Sequence, residues 1–389
     1  MKIKSVEVFR LEEPAKPIKT APRRPGWAEE AEVANPMSKF AHVKRHRNLW
    51  TPRWSDVWCK VTAEDGTFGL GQTGYGRPVA AVIEDHLAPQ LVGQDCFATD
   101  RLSDMMFRLT KPYGTMGLAS YAISGVDLAL WDLKGKLLEQ PVYSLLGGPS
   151  RDKVFCYATG NDVDWYKELG FKAFKLACPY GPADGLDGLE KNADFVANAR
   201  AIIGDDCELM LDCWMAFDVD YTVRLAERLR PYRLKWIEEC LIPEDLDAHL
   251  ELRTRLPWQT LATGEHWYSS VPFQWAASHH AVDILQPDIN WCGGVTVTQK
   301  IIAAAEAAGL GVILHAGGHT AFGQHLTFGQ SAIPWCEFFV GSAPGVPLEE
   351  GRVAPGQRLP KDGWLEPNDA PGFGLEIPHG HLVPFFTAP

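Results

Sequence analysis

The chain has 389 residues, too many for one typical small domain and enough for two or three, or for a barrel with an added domain. Its composition is 46% hydrophobic, 22% charged and 11% aromatic, which excludes a largely disordered chain and a collagen-like one. Lys and Arg number 37 against 49 Asp and Glu, a net charge of −12, so the broad basic surface of a nucleic-acid binder is missing.

Residues 1–12 alternate as a strand, carry charges throughout and contain no apolar core of signal-peptide type. No run approaches the length of a membrane span. The cysteines are scattered, with no C-x-x-C pair, which points to reduced thiols in a cytoplasm. Residues 14–56 settle into no period and hold a basic cluster of Lys39, Lys44, Arg45 and Arg47; the plain reading is a solvated loop. Residues 57–72 are two alternating runs around Asp65-Gly66, a hairpin signal. Helical periods follow at 78–90, 98–110 and 118–139, the last stopping before Pro141.

From Val154 short apolar runs alternate with helical stretches. The runs are 154–160, 171–177, 208–213, 234–239, 260–265, 282–288, 311–316 and 336–341. Eight such strands in series predict an α/β fold, a parallel (β/α)8 barrel; an open doubly wound sheet is the alternative. Residues 342–389 are rich in Pro and Gly and are expected to fold back over another part of the molecule.

Barrel active sites sit where the strands end. Here the third run ends in Asp212, the fourth in Glu238-Glu239 and the fifth in Glu265-His266. Positions 212, 238 and 265 are 26 and 27 residues apart, about one β/α unit each, so each acid belongs to the next strand. Three converging carboxylates repel one another unless a cation joins them, and hard oxygen donors suit Mg²⁺. Asp288 and His315 are again 27 apart, and a carboxylate beside an imidazole fixes its tautomer and raises its basicity, as a general base requires.

With those residues in place, the chain resembles the enolase superfamily in its mandelate racemase branch, among the acid-sugar dehydratases and nearest to members acting on L-rhamnonate. The likeness spans nearly the whole chain and is carried by ANPMSKF (34–40), VDLALWDLKGK (126–136), YATG (157–160), LMLDCWM (209–215), LKWIEEC (234–240), GEH (264–266) and QPDINWCGG (286–294). It implies a modified barrel at 141–341, an α+β capping domain at 1–140, and a segment 342–389 completing that cap. It implies Asp212, Glu238 and Glu265 as Mg²⁺ ligands. His315 with Asp288 becomes the acid–base pair, and Lys175 and Glu337 become further catalytic groups, Glu337 meeting the substrate carboxylate. His266, Trp214 and Arg47 are implied as substrate contacts, and a homo-oligomer as the assembly. Elimination through His315 alone needs the C2 proton and the 3-hydroxyl on one face of a small sugar acid.

Two departures qualify the likeness. Many relatives end the second strand in Lys-x-Lys; here Lys175 stands but Ala177 takes the second place, which disfavours a two-base racemase. The L-rhamnonate members carry a histidine in the early loop, and APRRPGW (21–27) has none. Gly69-Leu-Gly71-Gln-Thr-Gly74 fits G-x-G-x-x-G, but it follows a hairpin strand and opens no βαβ unit, so nicotinamide binding is set aside. The rival readings are a racemase, epimerase or cycloisomerase on the same scaffold, and a non-catalytic binder of sugar acids or metal.

Overall fold

The computed structural model describes residues 1–12, 17–29, 32–40, 51–366 and 368–386. Strand β1 (Ile3–Leu11) buries Ile3, Val6 and Val8. The step of three between Ile3 and Val6, where alternation demands two, is taken up by a bulge at Ile3/Ser5. Strands β2 (Val57–Ala63) and β3 (Phe68–Thr73) form the expected hairpin. Its turn works because Gly66 takes φ +91° and the Asp65 side chain accepts from the Thr67 N–H at 2.9 Å.

Helices α1 (Gly76–Ala81) and α2 (Ala88–Leu91) are joined by a π-helical turn at 82–87, so the period expected over 78–90 is realised in pieces. Helices α3 (Thr99–Leu109) and α4 (Leu118–Leu137) fall where their periods predict. Helix α4 is buried almost along its whole length because it is packed between the small sheet and the large domain. Gly69 and Gly71 explain how close that packing is: a Cβ at either would lie 2.1 Å from the carbonyl oxygen of Ala129 or Gly125. The glycines of the apparent dinucleotide motif therefore serve strand-to-helix contact. On its other side α4 reaches the large domain through hydrogen bonds from Ser120 to the Trp291 carbonyl (2.7 Å) and from the Thr296 N–H to Asp127 (3.0 Å).

After α5 (Val142–Leu145) the barrel begins. Its units are β4 (Val154–Thr159), α6 (Val163–Glu168), β5 (Ala173–Ala177), α7 (Gly185–Ile203), β6 (Glu208–Asp212) and α8 (Val219–Leu229). They continue as β7 (Ile237–Glu238), α9 (Leu246–Arg255), β8 (Leu261–Thr263), α10 (Val271–His279), β9 (Ile284–Leu285) and α11 (Gly294–Ala308). The last are β10 (Gly311–Val312), α12 (Ala321–Gly329) and β11 (Trp335–Phe339). Neighbours pair in parallel in chain order from β4 to β10, and β11 returns beside β4. A sheet whose last strand pairs with its first is a curled barrel wall, which excludes the open doubly wound alternative. The interior is filled by Tyr157, Ala173, Met210, Trp236, Ala262 and Ile313, and this layer is the floor beneath the strand ends.

The C-terminal segment serves both parts. Strand β12 (Trp364–Leu365) pairs antiparallel with β4, and β13 (Leu382–Pro384) pairs antiparallel with β1, setting Phe9 opposite Pro384. Among the described residues no helix is long and apolar enough to cross a membrane.

Candidate active site

Along a barrel strand, residues two apart share a face. Met210 and Trp236 are interior residues, so Asp212 and Glu238 point inward one step nearer the strand ends. Glu265 breaks that count. It enters because Gly264, at φ +140°, reverses the chain just after β8. A side chain at 264 would also meet the Phe273 ring at 2.7 Å. Trp214, Met215, Glu239 and Ala316 hold left-handed backbone immediately beyond functional positions, a cluster of strain typical of active sites.

Asp212, Glu238 and Glu265 offer oxygens that lie within 4.8 Å of one another. Glu238 is the most deeply set: its Oε2 accepts from Trp236 Nε1 and Gln286 Nε2, each at 2.8 Å, and its Oε1 meets Lys175. Burial, resisted by Lys175, pushes the Glu238 carboxyl up to about 7. Burial likewise raises Asp212 against the pull of Lys175. Such a set is ill at ease as bare anions, and its buried oxygen donors fit a small divalent cation.

Lys175 Nζ also lies 2.8 Å from Glu337 and 3.4 Å from Asp212. Burial opposes its charge, but Glu238, Glu337 and Asp212 keep it well above the usual lysine range. Both oxygens of Glu337 are engaged. Oε1 accepts from Thr159 at 2.6 Å as well as from Lys175, and Oε2 accepts from the Ala316 N–H at 2.7 Å. Burial would raise this carboxyl, but Lys175 and His315 outweigh it and hold it at about 2.

His315 Nδ1 is 2.7 Å from Asp288 Oδ2, and its Nε2 is 3.4 Å from Glu265 Oε2. Asp288 is steadied by the Asn290 N–H at 2.7 Å. Burial disfavours a charged His315, yet Glu265, Asp288 and Glu337 hold its pKa well above the ordinary imidazole value.

A second imidazole–carboxylate pair, absent from the sequence-based expectations, stands beyond Glu265. His266 Nδ1 is 2.6 Å from Glu239 Oε1 and 3.5 Å from Glu265. Burial lowers the His266 pKa and Glu239 more than restores it, to about 9. Burial and Glu265 raise Glu239 to about 8. Alternation points Glu239 out of the barrel; its left-handed backbone turns it to the mouth, and no periodicity signals that. Trp291 packs on both imidazoles, 4.9 Å from His315 and 5.6 Å from His266 between ring centres.

These groups surround one cavity of about 480 Å³. Lys175, Asp212, Glu265, Asp288, His315 and Glu337 line it, as do His266 and Trp214; Glu238 lies buried behind them. Arg47 falls outside the described residues. The early loop instead contributes Trp27, which touches Phe339 edge to face at 6.2 Å.

Residues 161–380 match the family of enolase C-terminal domain-like sequences, and residues 52–147 match the mandelate racemase / muconate lactonizing enzyme N-terminal domain. The chain belongs to this mandelate racemase and muconate lactonizing branch of the enolase superfamily, and it is an enzyme. It is 40% identical over 356 residues to an L-rhamnonate dehydratase of Saccharopolyspora erythraea, covering 90% of each chain. The crystal structure of a rhamnonate dehydratase from Gibberella zeae complexed with Mg superposes with a TM-score of 0.91 at 32% identity, covering 100% of this chain and 98% of that one. A 3,6-anhydro-D-galactonate cycloisomerase from Zobellia galactanivorans is more distant, with a TM-score of 0.77 at 27% identity over 98% of this chain and 99% of that one.

Proposed function

We propose that the chain is a Mg²⁺-dependent hydro-lyase that dehydrates a sugar acid of the L-rhamnonate kind to its 2-keto-3-deoxy acid. The observation that carries this reading is the placing of the His315–Asp288 pair against Glu265, a member of the three-carboxylate cluster. A base thereby stands beside a site built for a cation, where an α-proton is made acidic.

Mg²⁺ held by Asp212, Glu238 and Glu265 would supply a hard Lewis acid for the substrate carboxylate. With Glu265 engaged by the cation, the charge that most favours a protonated His315 is offset; the neutral ring then takes the proton from C2 at Nε2, and Asp288 steadies the imidazolium so formed. Lys175 offers a buried positive charge to the enediolate oxygens. His315 then returns its proton to the 3-hydroxyl, which departs as water from the same face. The resulting enol takes a proton at C3, gives up its C2 hydroxyl proton to solvent and becomes the 2-keto acid. Glu337 lines the cavity beside Lys175 and the Ala316 N–H, and we retain it as the catalytic group that meets the substrate carboxylate. His266 and Trp214 line the cavity as substrate contacts, and Arg47 is retained as a third.

Purified protein with Mg²⁺ should convert one or more members of an aldonate library to 2-keto-3-deoxy acid. EDTA should abolish turnover, Mg²⁺ should restore it, and Glu238→Gln should be inactive. Full activity after EDTA treatment, or no keto acid from any aldonate, overturns the reading.

One observation favours a second reading, a racemase or epimerase. The His266–Glu239 pair is a second carboxylate-supported imidazole at the same cavity and could serve as a second base. The same screen separates the two, because an epimerase yields a new aldonate and no keto acid.

A further inference from the structure

His319 is held at the cavity wall by a loop with little freedom. Its N–H donates to the Ala316 carbonyl at 2.8 Å, and the Gly318 N–H donates to the Glu337 carbonyl at 2.6 Å. The Gly318 carbonyl accepts from Gln324 at 2.8 Å and from Gln357 at 3.2 Å. Thr320 caps helix α12 with its side chain. The ring packs edge-on against Phe339 at 5.9 Å. Its Nδ1 is buried and has no hydrogen-bond partner among the described residues. His319 lines the cavity, and because no described residue bonds its Nδ1 the ring keeps hydrogen-bonding capacity that a ligand can use.

The position says which part of a substrate that partner is. Glu337 and Phe339 lie two apart on β11 and share its inward face, so Phe339 is about 7 Å nearer the mouth. His319, packed on Phe339, therefore sits above the layer of Lys175, His315 and the carboxylates. A sugar acid with its carboxylate and C2 in that layer extends its remaining carbons toward His319. Burial and Arg352 hold the His319 pKa below the ordinary value, so the ring is neutral at pH 7. A neutral imidazole has one donor and one acceptor nitrogen, which matches a hydroxyl.

We propose that His319 is a specificity-determining residue that hydrogen-bonds a hydroxyl of the sugar acid beyond C3. The inference rests on the aldonate reading above. It goes beyond it by assigning recognition of the distal chain to a residue outside the acid–base and metal machinery.

Two unreactive ligands test it by calorimetry on the Mg²⁺-loaded protein. One is a 3-deoxy six-carbon aldonate made from the best substrate. The other is 2-hydroxybutanoate, which keeps the carboxylate and C2 hydroxyl but has no hydroxyl beyond. His319→Phe, which keeps a ring against Phe339, should weaken the first ligand roughly tenfold more than the second. His319→Gln, which keeps a donor and an acceptor, should retain more of that preference than Phe. With the six-carbon substrate the Phe variant should raise KM more than it lowers kcat. Parallel losses for both ligands, or no change in their ratio, overturn the inference while leaving wild-type dehydration standing. A wild-type protein that dehydrates no aldonate removes both.

Discussion

His315 has two acidic neighbours with different work to do. Asp288 lies on Nδ1 at 2.7 Å, where it would set the tautomer; Glu265 lies near Nε2 at 3.4 Å, on the side from which the proposed substrate would be drawn in. If His315 is both base and acid, His315→Asn should lose dehydration and exchange of the C2 proton with deuterated solvent together. Asp288→Asn should cost less, because the ring remains and only its support is weakened. Deuterium uptake and keto-acid formation followed in parallel give the answer; exchange at the wild-type rate in His315→Asn would place the base elsewhere, with His266 the competitor at hand. At this scale the sequence was informative wherever simple alternation held. Asp212 and Glu238 follow interior residues by two, so their inward direction could be read from the strand pattern. Glu239 could not be found that way, because its direction depends on a backbone angle, φ +47°, that breaks the alternation.

Among the elements, helices α4 and α12 differ most from what periodicity suggests. A helix with one apolar stripe covers a core; these two are buried nearly all round and carry polar side chains inward. In α12, His325 is in apolar surroundings between Tyr143 and Phe373, its Nδ1 accepting from the Tyr143 N–H at 3.4 Å and its Nε2 without a partner among the described residues. Burial pushes its pKa down to about 3. The unfolded chain takes a proton near pH 6.5 and the folded chain does not, so this residue's contribution is intact above pH 6.5 and is lost as pH falls toward 3. Between pH 7 and pH 5 the loss is about 2 kcal/mol. His325→Asn, which can still accept from Tyr143, should be less stable at pH 7 yet lose less on going to pH 5. Urea midpoints of both proteins at the two pH values check this, and equal losses would remove His325 as a source of acid sensitivity. The barrel strands were legible as apolar runs, but their ladders are shorter than the runs: 282–288 pairs only at Ile284–Leu285. Pairing ends early because the residues beyond turn inward to build the cavity. Strands β12 and β13 escaped notice because a two- or three-residue strand amid Pro and Gly has no period to detect.

At the scale of the molecule, the cap is tied across the barrel mouth by charge. Arg24 bonds Asp162 and Asp164, Arg23 bonds Glu168 at 2.7 Å, and the Trp27 N–H donates to Asp162 at 2.8 Å. Farther along, the Thr20 N–H donates to Glu350 at 2.9 Å and the Ala34 N–H to the Cys178 carbonyl at 2.7 Å. Asp162 is 5% exposed, so removing Arg24 leaves a nearly buried carboxylate short of its cation. Arg24→Ala should speed amide exchange across residues 17–29 and raise KM several-fold, while the melting of the barrel changes little. Exchange protection equal to wild type would mean that the apolar seat of Trp27 holds the segment without the arginine.

The pairing of β1 with β13 sets an order on how the molecule is made. Leu382–Pro384 lies downstream of every barrel strand, yet it completes the sheet begun at Ile3–Leu11. A ribosome delivers the chain N-terminus first. The opening strand therefore waits with one edge unpaired through the translation of the whole barrel. During that interval the unpaired edge can recruit a strand from another nascent chain. Rotating the chain order so that β13 is made directly before β1 would close that window, and would test whether the late-arriving strand limits the yield of folded enzyme.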